Sequence, residues 1–263
     1  MPSISRNKFD RKYNFPVDII YNKSPVPLEE LPDRSVDLVV SDLDHPKHNK
    51  SKTIEQEWKE RTIALVRELH RVATATARIC FFVHIKVEFF VPPWHTFLTQ
   101  IMIDNGYLLE SEIIWIGKNK TEFKEHTRYQ SLVTHMHNTI LIFSKNRRGR
   151  TPSYKTQQID TPGTHELNTW YKSIWIAPGS SFLHEKGKPD IPTEAAYRLI
   201  RMYSERGDVV LVPFAKTGNV PVAAIKTERK FVGYERNPNL YKLIQTKLQN
   251  ITKKETKRET NAS

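Results

Sequence analysis

Cysteine is nearly absent from this sequence, since Cys80 is the single cysteine among 263 residues. A lone cysteine cannot form an intramolecular disulfide or build a cysteine-rich zinc site. Cys80 stands inside the apolar run 79–83, and that position predicts a small core residue. Disulfide-stapled and zinc-ribbon classes of protein are therefore excluded.

Long hydrophobic runs are also missing, and residues 1–15 lack the apolar centre of a secretion signal. We therefore expect an intracellular protein, located in the cytoplasm, the nucleoid or a nucleus. The length suits one large α/β domain. The predicted organisation is a basic, flexible N-terminus over 1–14, one domain over 15–250 and a disordered charged tail over 251–263.

Acidic residues are scarce relative to basic ones, with 29 Asp and Glu against 41 Lys and Arg, for a net charge of +12. Such an excess favours a polyanionic partner. Residues 118–172 show little periodicity and contain much of this charge, so this segment is a candidate contact for such a partner. Its basic residues include Lys145, Arg147, Arg148 and Arg150, with further lysines at Lys118, Lys120 and Lys124.

Short apolar runs separated by helical patterns predict an α/β fold with a mostly parallel sheet. Residues 36–40 and 209–212 should be neighbouring inner strands. The second run is followed by a turn over 213–218, a helix from 220 and another strand over 231–234. Glu235 ends that strand about twenty residues after the turn, at the spacing where a carboxylate reaches ribose hydroxyls in nucleotide-binding βαβ units.

The turn after the 209–212 strand reads V-P-F-A-K-T-G-N from Val212. It resembles the turn D-P-F-x-G-[ST]-G-T that binds S-adenosylmethionine in the DNA amino-methyltransferases. The matching residues are Pro213, Phe214, Thr217 and Gly218. Val212 replaces the acidic residue that would meet the cofactor's ammonium group, Lys216 replaces the first glycine and Asn219 replaces threonine. The resemblance implies a Rossmann-like methyltransferase fold, with Lys216 either filling the cofactor pocket or reshaping it.

A second motif follows the 36–41 strand, where the chain reads D-L-D-H from Asp42. It is similar to the catalytic tetrapeptide [DNS]-P-P-[YFW] of the same family. The resemblance implies that Asp42 accepts a hydrogen bond from the target amine and that His45 stacks on a flipped base. Because the catalytic motif precedes the cofactor turn, the order is that of the permuted β group. The resemblance also implies that residues 118–172 are the DNA-recognition segment, with Lys145, Arg147, Arg148 and Arg150 as its candidate DNA-binding residues. A metal at Asp42 and Asp44 is less favoured than a solvated turn, so no metal is predicted.

Three functions remain open. The chain could be an active DNA amino-methyltransferase, acting on adenine N6 or cytosine N4, with S-adenosylmethionine as cofactor. It could instead be a catalytically inactive relative that serves as a DNA-binding or scaffolding subunit or regulator. It could also act on RNA or bind another ligand, with Lys216 contacting an anion. The joint change of both motifs favours the inactive, DNA-binding relative, with duplex DNA and either an active methyltransferase subunit or a second copy as partners.

Overall fold

The computed structural model describes residues 13–43, 52–83, 94–117, 137–145, 164–177 and 190–260. Eight strands and six helices lie in these ranges. They are β1 (Ile19–Tyr21), β2 (Val36–Asp42), α1 (Lys52–Val72), β3 (Ala73–Val83), α2 (Trp94–Asp104), β4 (Leu108–Gly117), β5 (Asn138–Ser144), α3 (Thr164–Trp170), β6 (Ile174–Ala177), α4 (Thr193–Tyr203), β7 (Val209–Val212), α5 (Asn219–Lys226), β8 (Lys230–Tyr234) and α6 (Pro238–Thr260). None of these helices is long and apolar enough to cross a membrane.

The eight strands form one sheet in the order β1-β8-β7-β2-β3-β5-β4-β6. All pairings are parallel except the two made by β5, which runs antiparallel between β3 and β4. The mostly parallel sheet with helices confirms the predicted α/β class. Leu38 pairs with Val210, so the two predicted inner strands are indeed neighbours.

The chain leaves the two central strands in opposite directions. From β2 it continues to β3 on one side, whereas from β7 it continues to β8 on the other. Such a reversal opens a crevice outside the carboxyl ends of the two strands, where open α/β sheets bind their ligands. The topology therefore places the candidate site between the end of β2 and the turn after β7.

Buried side chains on both faces of the sheet form two hydrophobic layers. Val39, Phe81 and Leu211 pack in one cluster with residues of α1 and α2. Val40 and Phe82 pack in the other cluster, with residues of α4 and α5. Burial on both faces explains why these strands read as continuous apolar runs. Cys80 is fully buried, as predicted, and its burial raises the pKa of the thiol.

The carboxyl end of α1 is capped by residues from distant parts of the chain. Because α1 passes directly into β3, its last carbonyl groups have no partners within the helix. The Nζ of Lys145 donates to the carbonyl oxygens of His70 and Ala73, each at 2.5 Å. In the loop before β2, the backbone N–H of Arg34 donates to the carbonyl oxygen of Arg71, and the N–H of Ser35 donates to that of Val72. Lys145 thus joins β5 to the end of α1.

The last helix differs from the sequence-based expectation. α6 continues to Thr260, so ten residues of the segment 251–263 are helical where a disordered tail was expected. Lys, Glu and Arg have good helix propensities, and an existing helix is easily extended by them. Residues 261–263, like residues 1–12 of the predicted flexible N-terminus, lie outside the described ranges.

Replacing Lys145 with methionine should lower the free energy of unfolding by about 1 kcal/mol, because the variant keeps the stem and loses the ammonium that caps α1. Urea unfolding followed by circular dichroism measures the change. Lys172→Met is the matched control, since Lys172 is exposed in the turn between α3 and β6. A loss no greater than that of the control would remove the capping role.

Candidate functional site

The candidate site lies where β2 and β7 end side by side. β2 ends at Asp42, whose side chain is completely buried. β7 ends at Val212, and the turn 213–218 leads from it into α5. Asp42, the first residue of the second motif, and the turn 213–218 therefore lie at one edge of the sheet.

The turn after β7 keeps a glycine-type backbone without its first glycine. Lys216 has φ +48° and Gly218 has φ +83°, both in the left-handed region. Residues with a side chain rarely adopt this backbone conformation, whereas glycine adopts it freely. A Cβ on Gly218 would also lie 3.1 Å from the Cγ2 of Ile244, so α6 leaves little space there. The turn thus keeps the left-handed backbone at Lys216, although a lysine stands where the family has glycine.

The side chain of Lys216 crosses the crevice and meets the end of β2. Its Nζ lies 2.7 Å from the Oδ2 of Asp42, and the two side chains are 13% and 0% exposed. A buried carboxylate is costly without a cationic or hydrogen-bonding partner, and Lys216 supplies that partner. The lysine therefore fills the space between the two motifs.

Glu235 holds the same turn from the neighbouring strand. Its Oε2 accepts a hydrogen bond from the backbone N–H of Lys216 at 2.9 Å, and its Oε1 accepts one from the N–H of Asn237 at 2.8 Å. The residue is buried. Both carboxylate oxygens thus bond the backbone, whereas the sequence predicted a ribose contact, which stays a prediction.

Asp190 is a member of the site that sequence reasoning missed. Its carboxylate accepts hydrogen bonds from the hydroxyl of Thr217, from the Nδ2 of Asn219 at 3.2 Å and from the N–H of Ile191 at 2.8 Å. These bonds fix the turn to the start of α4. No local pattern identifies it, because its partners Thr217 and Asn219 lie 27 and 29 residues further along the chain.

The ionisation of Asp190 reflects its surroundings. Burial has the largest influence and raises the pKa of this carboxyl, while the Thr217 hydrogen bond and the positive charge of Lys216 act in the opposite direction. The negative charge of Asp42 raises it further. The Lys216 ammonium therefore lies in the field of two buried acids contributed by β2 and by the approach to α4.

Of the other predicted site residues, two lie in the turn after β7 and four lie outside the described residues. Pro213 is buried in the turn, and Phe214 is half-buried against the core layer on the α1 side. His45, Arg147, Arg148 and Arg150 lie outside the described residues. Within the described ranges no three or more His, Cys, Asp and Glu side chains form a possible metal site.

The two halves of the predicted DNA-recognition segment start from opposite edges of the sheet. Lys145 follows Ser144, which pairs with Arg78 near the amino end of β3. Gly117 and His137, which flank residues 118–136, lie at the carboxyl edge with the site. Lys145 caps α1, so its predicted DNA contact must compete with a structural role.

Within the segment Trp170 is buried, while Tyr171 is 58% exposed.

Comparisons with known proteins agree with this geometry. Type II methyltransferase M.MthZI of Methanothermobacter thermautotrophicus is 27% identical over 277 residues, covering 89% of this chain and 77% of that protein. A Thermus thermophilus protein assigned as a DNA modification methylase is 25% identical with a TM-score of 0.69, covering 84% of this chain and 89% of that one. Its structure in complex with S-adenosyl-L-methionine gives 23% identity and a TM-score of 0.72, covering 87% and 91%.

The α/β sheet, with Asp42 and the cofactor turn at the point between β2 and β7 where the strand order reverses, defines a methyltransferase fold. The family model of the DNA methylases, N6_N4_Mtase, matches residues 14–246. The chain belongs to this DNA methylase family, as the resemblance in the two motifs predicted.

The buried carboxyl of Asp190 generates a pH-dependent prediction. Its pKa is raised from the ordinary value of 3.8, so the folded protein holds this proton more tightly than the unfolded chain does. The contribution of Asp190 to wild-type stability is therefore largest below that ordinary value and falls as pH rises to the raised one.

Asp190→Asn keeps an acceptor oxygen and removes the titration. We expect the free energy of unfolding of the variant minus that of the wild type to increase as the pH rises from the ordinary pKa of Asp190 to the raised one. Urea unfolding at a series of pH values measures this difference. A difference that does not change with pH would contradict a buried, titrating Asp190.

Proposed function

We propose that this chain is a catalytically inactive member of the DNA methylase family that binds duplex DNA and serves as a DNA-binding or scaffolding subunit or regulator. The observation that carries the proposal is the ion pair between Lys216 and Asp42. It joins the cofactor turn to the residue that would orient the target amine. Lys216 of the cofactor turn and Asp42 of the catalytic motif are thus bonded to each other.

The first consequence concerns the target base. An active enzyme of this kind needs a free acceptor at the end of β2 to orient the exocyclic amine of a flipped base. One oxygen of the Asp42 carboxylate instead bonds the Lys216 ammonium at 2.7 Å. A target amine would have to share this buried carboxylate with the Lys216 ammonium, and separating the pair to make room would leave an uncompensated charge.

The second consequence concerns S-adenosylmethionine, the cofactor that the family implies. Its methionine end carries an ammonium group, a carboxylate and a sulfonium centre, for a net positive charge, so the pocket must offer open space and a partner for the ammonium group. Here the turn presents the Lys216 side chain, and Val212 is a fully buried apolar residue of the core. The residues present do not fit the cofactor in this conformation, because positive charge and a long stem stand where it would bind.

An active enzyme is the alternative function. The left-handed Gly218 and the buried Asp42 are both retained at the switch point. Rotation of Lys216 out of the crevice would free both, and the chain would then methylate adenine N6 or cytosine N4. A ligand contact in which Lys216 binds an anion has less support, because its ammonium already meets a carboxylate.

The DNA-binding part of the proposal depends on charge. The net charge of +12 favours a polyanionic partner, and the basic residues between 118 and 150 supply much of this excess of positive charge. Duplex DNA is the proposed partner. An active methyltransferase subunit or a second copy of this chain would supply the catalysis that the protein itself lacks.

Calorimetric titration with S-adenosylmethionine tests the cofactor pocket. We expect no binding by the wild type up to about 1 mM, with or without duplex DNA, and recovery of binding at roughly 10–100 μM in Lys216→Gly. Glycine fits the left-handed backbone at this position and removes the ammonium. Lys172→Gly, an exposed change, controls for altered net charge.

Val212→Asp combined with Lys216→Gly would restore the family's acidic residue as well. Because Val212 is buried, this double variant must first show a native circular dichroism spectrum. Micromolar binding by the wild type, or methyl transfer to DNA, would instead establish the active enzyme.

Two sets of three substitutions to alanine test the DNA contact. Changing Arg147, Arg148 and Arg150 should weaken binding to duplex DNA and lower the slope of log K against log salt by about 1 for each lost phosphate contact. Changing Lys118, Lys120 and Lys124 removes the same charge from the segment that leaves the carboxyl edge. Fluorescence anisotropy over a salt series measures both sets, and unchanged binding in the arginine variant would dismiss those residues as DNA contacts.

A further inference from the structure

We propose that the Lys216 side chain is a tethered ligand of its own pocket, and that the position of its ammonium is a binding subsite for a primary alkylammonium group. The inference deepens the proposed function and rests on it for the identity of the pocket. It adds the chemical class of ligand that the altered site accepts.

The backbone of Lys216 is held in place independently of its side chain. Its N–H bonds Glu235, and the turn is tied to β8 by the bond from the N–H of Ala215 to the carbonyl of Tyr234 at 2.9 Å. Asp190 binds the adjacent Thr217. The side chain therefore projects from a fixed point, and removing it should leave the surrounding turn intact.

The receiving end of the subsite is also fixed. Asp42 belongs to β2, which pairs with β3 and β7 on its two sides, and its carboxylate is completely buried. Asp190 adds a second negative field from the approach to α4. β2 and the approach to α4 thus supply two buried acids, of which Asp42 contacts the ammonium at 2.7 Å and Asp190 acts through its charge.

The stem of Lys216 lies between these two fixed ends and is only 13% exposed on its side chain. Lys216→Ala would remove three carbons and the ammonium, which together correspond to n-propylammonium. The variant should therefore lose stability, and n-propylammonium should bind in the space and restore part of it. A neutral molecule of the same size cannot replace the charge that the buried carboxylates require.

Thermal unfolding of the full chain tests the subsite. n-Propylammonium chloride at about 0.1 M should raise the Tm of Lys216→Ala by roughly 2–4 °C over the same concentration of sodium chloride. The wild type, whose own ammonium fills the subsite, should show no such rise, and 1-propanol should not help the variant. The additional change Asp42→Asn should abolish the rescue.

An equal rise in the wild type, or the same effect from 1-propanol, would overturn the inference. A second measurement covers a variant that fails to fold. The rate of reductive methylation at Lys216 in the wild type, read by mass spectrometry, should be at least tenfold below that of exposed Lys172 and should increase in Asp42→Asn. Equal rates at the two lysines in the wild type would also overturn the inference.

The proposed function fails on a different result, namely cofactor binding or methyl transfer by the wild type. Amine rescue without cofactor binding supports both ideas. Cofactor binding by the wild type together with amine rescue of the alanine variant would leave the subsite in place and return the chain to the active enzymes.

Discussion

The parallel pairing of β2 with β7 is the constraint on which the site depends. It places Asp42 and the turn after Val212 on one edge of the sheet, within the length of a single lysine side chain. Without that register the two motifs, far apart in sequence, could not meet. The core layers on both faces fix the strands, so replacing a side chain in the crevice should leave the backbone positions of β2 and β7 unchanged.

Much of this arrangement could be predicted from the sequence. The apolar runs that became β2 and β7 predicted two buried strands, because buried parallel strands require apolar residues on both faces, and the fold implied by the resemblance predicted that the two are neighbours. The family, the fold class and the position of Lys216 in the turn followed from local patterns. The direction of the Lys216 side chain did not, since it depends on how closely the end of β2 approaches.

Long-range polar contacts account for what the sequence could not show. Asp190 acts through Thr217 and Asn219, and Lys145 caps a helix that ends more than seventy residues earlier. No local pattern encodes such partners. The helical extension to Thr260 has a different cause, because charged residues with good helix propensity resemble a disordered tail in composition.

The reversed strand β5 has an evolutionary consequence. Because it returns the chain from the carboxyl edge of the sheet to the amino edge, the connection before it and the connection after it begin on different sides of the molecule. The ends of the first connection lie on the edge of the sheet that carries the crevice, whereas the second connection starts from the opposite edge. Natural variation at these points of attachment can therefore alter one edge of the sheet without altering the other.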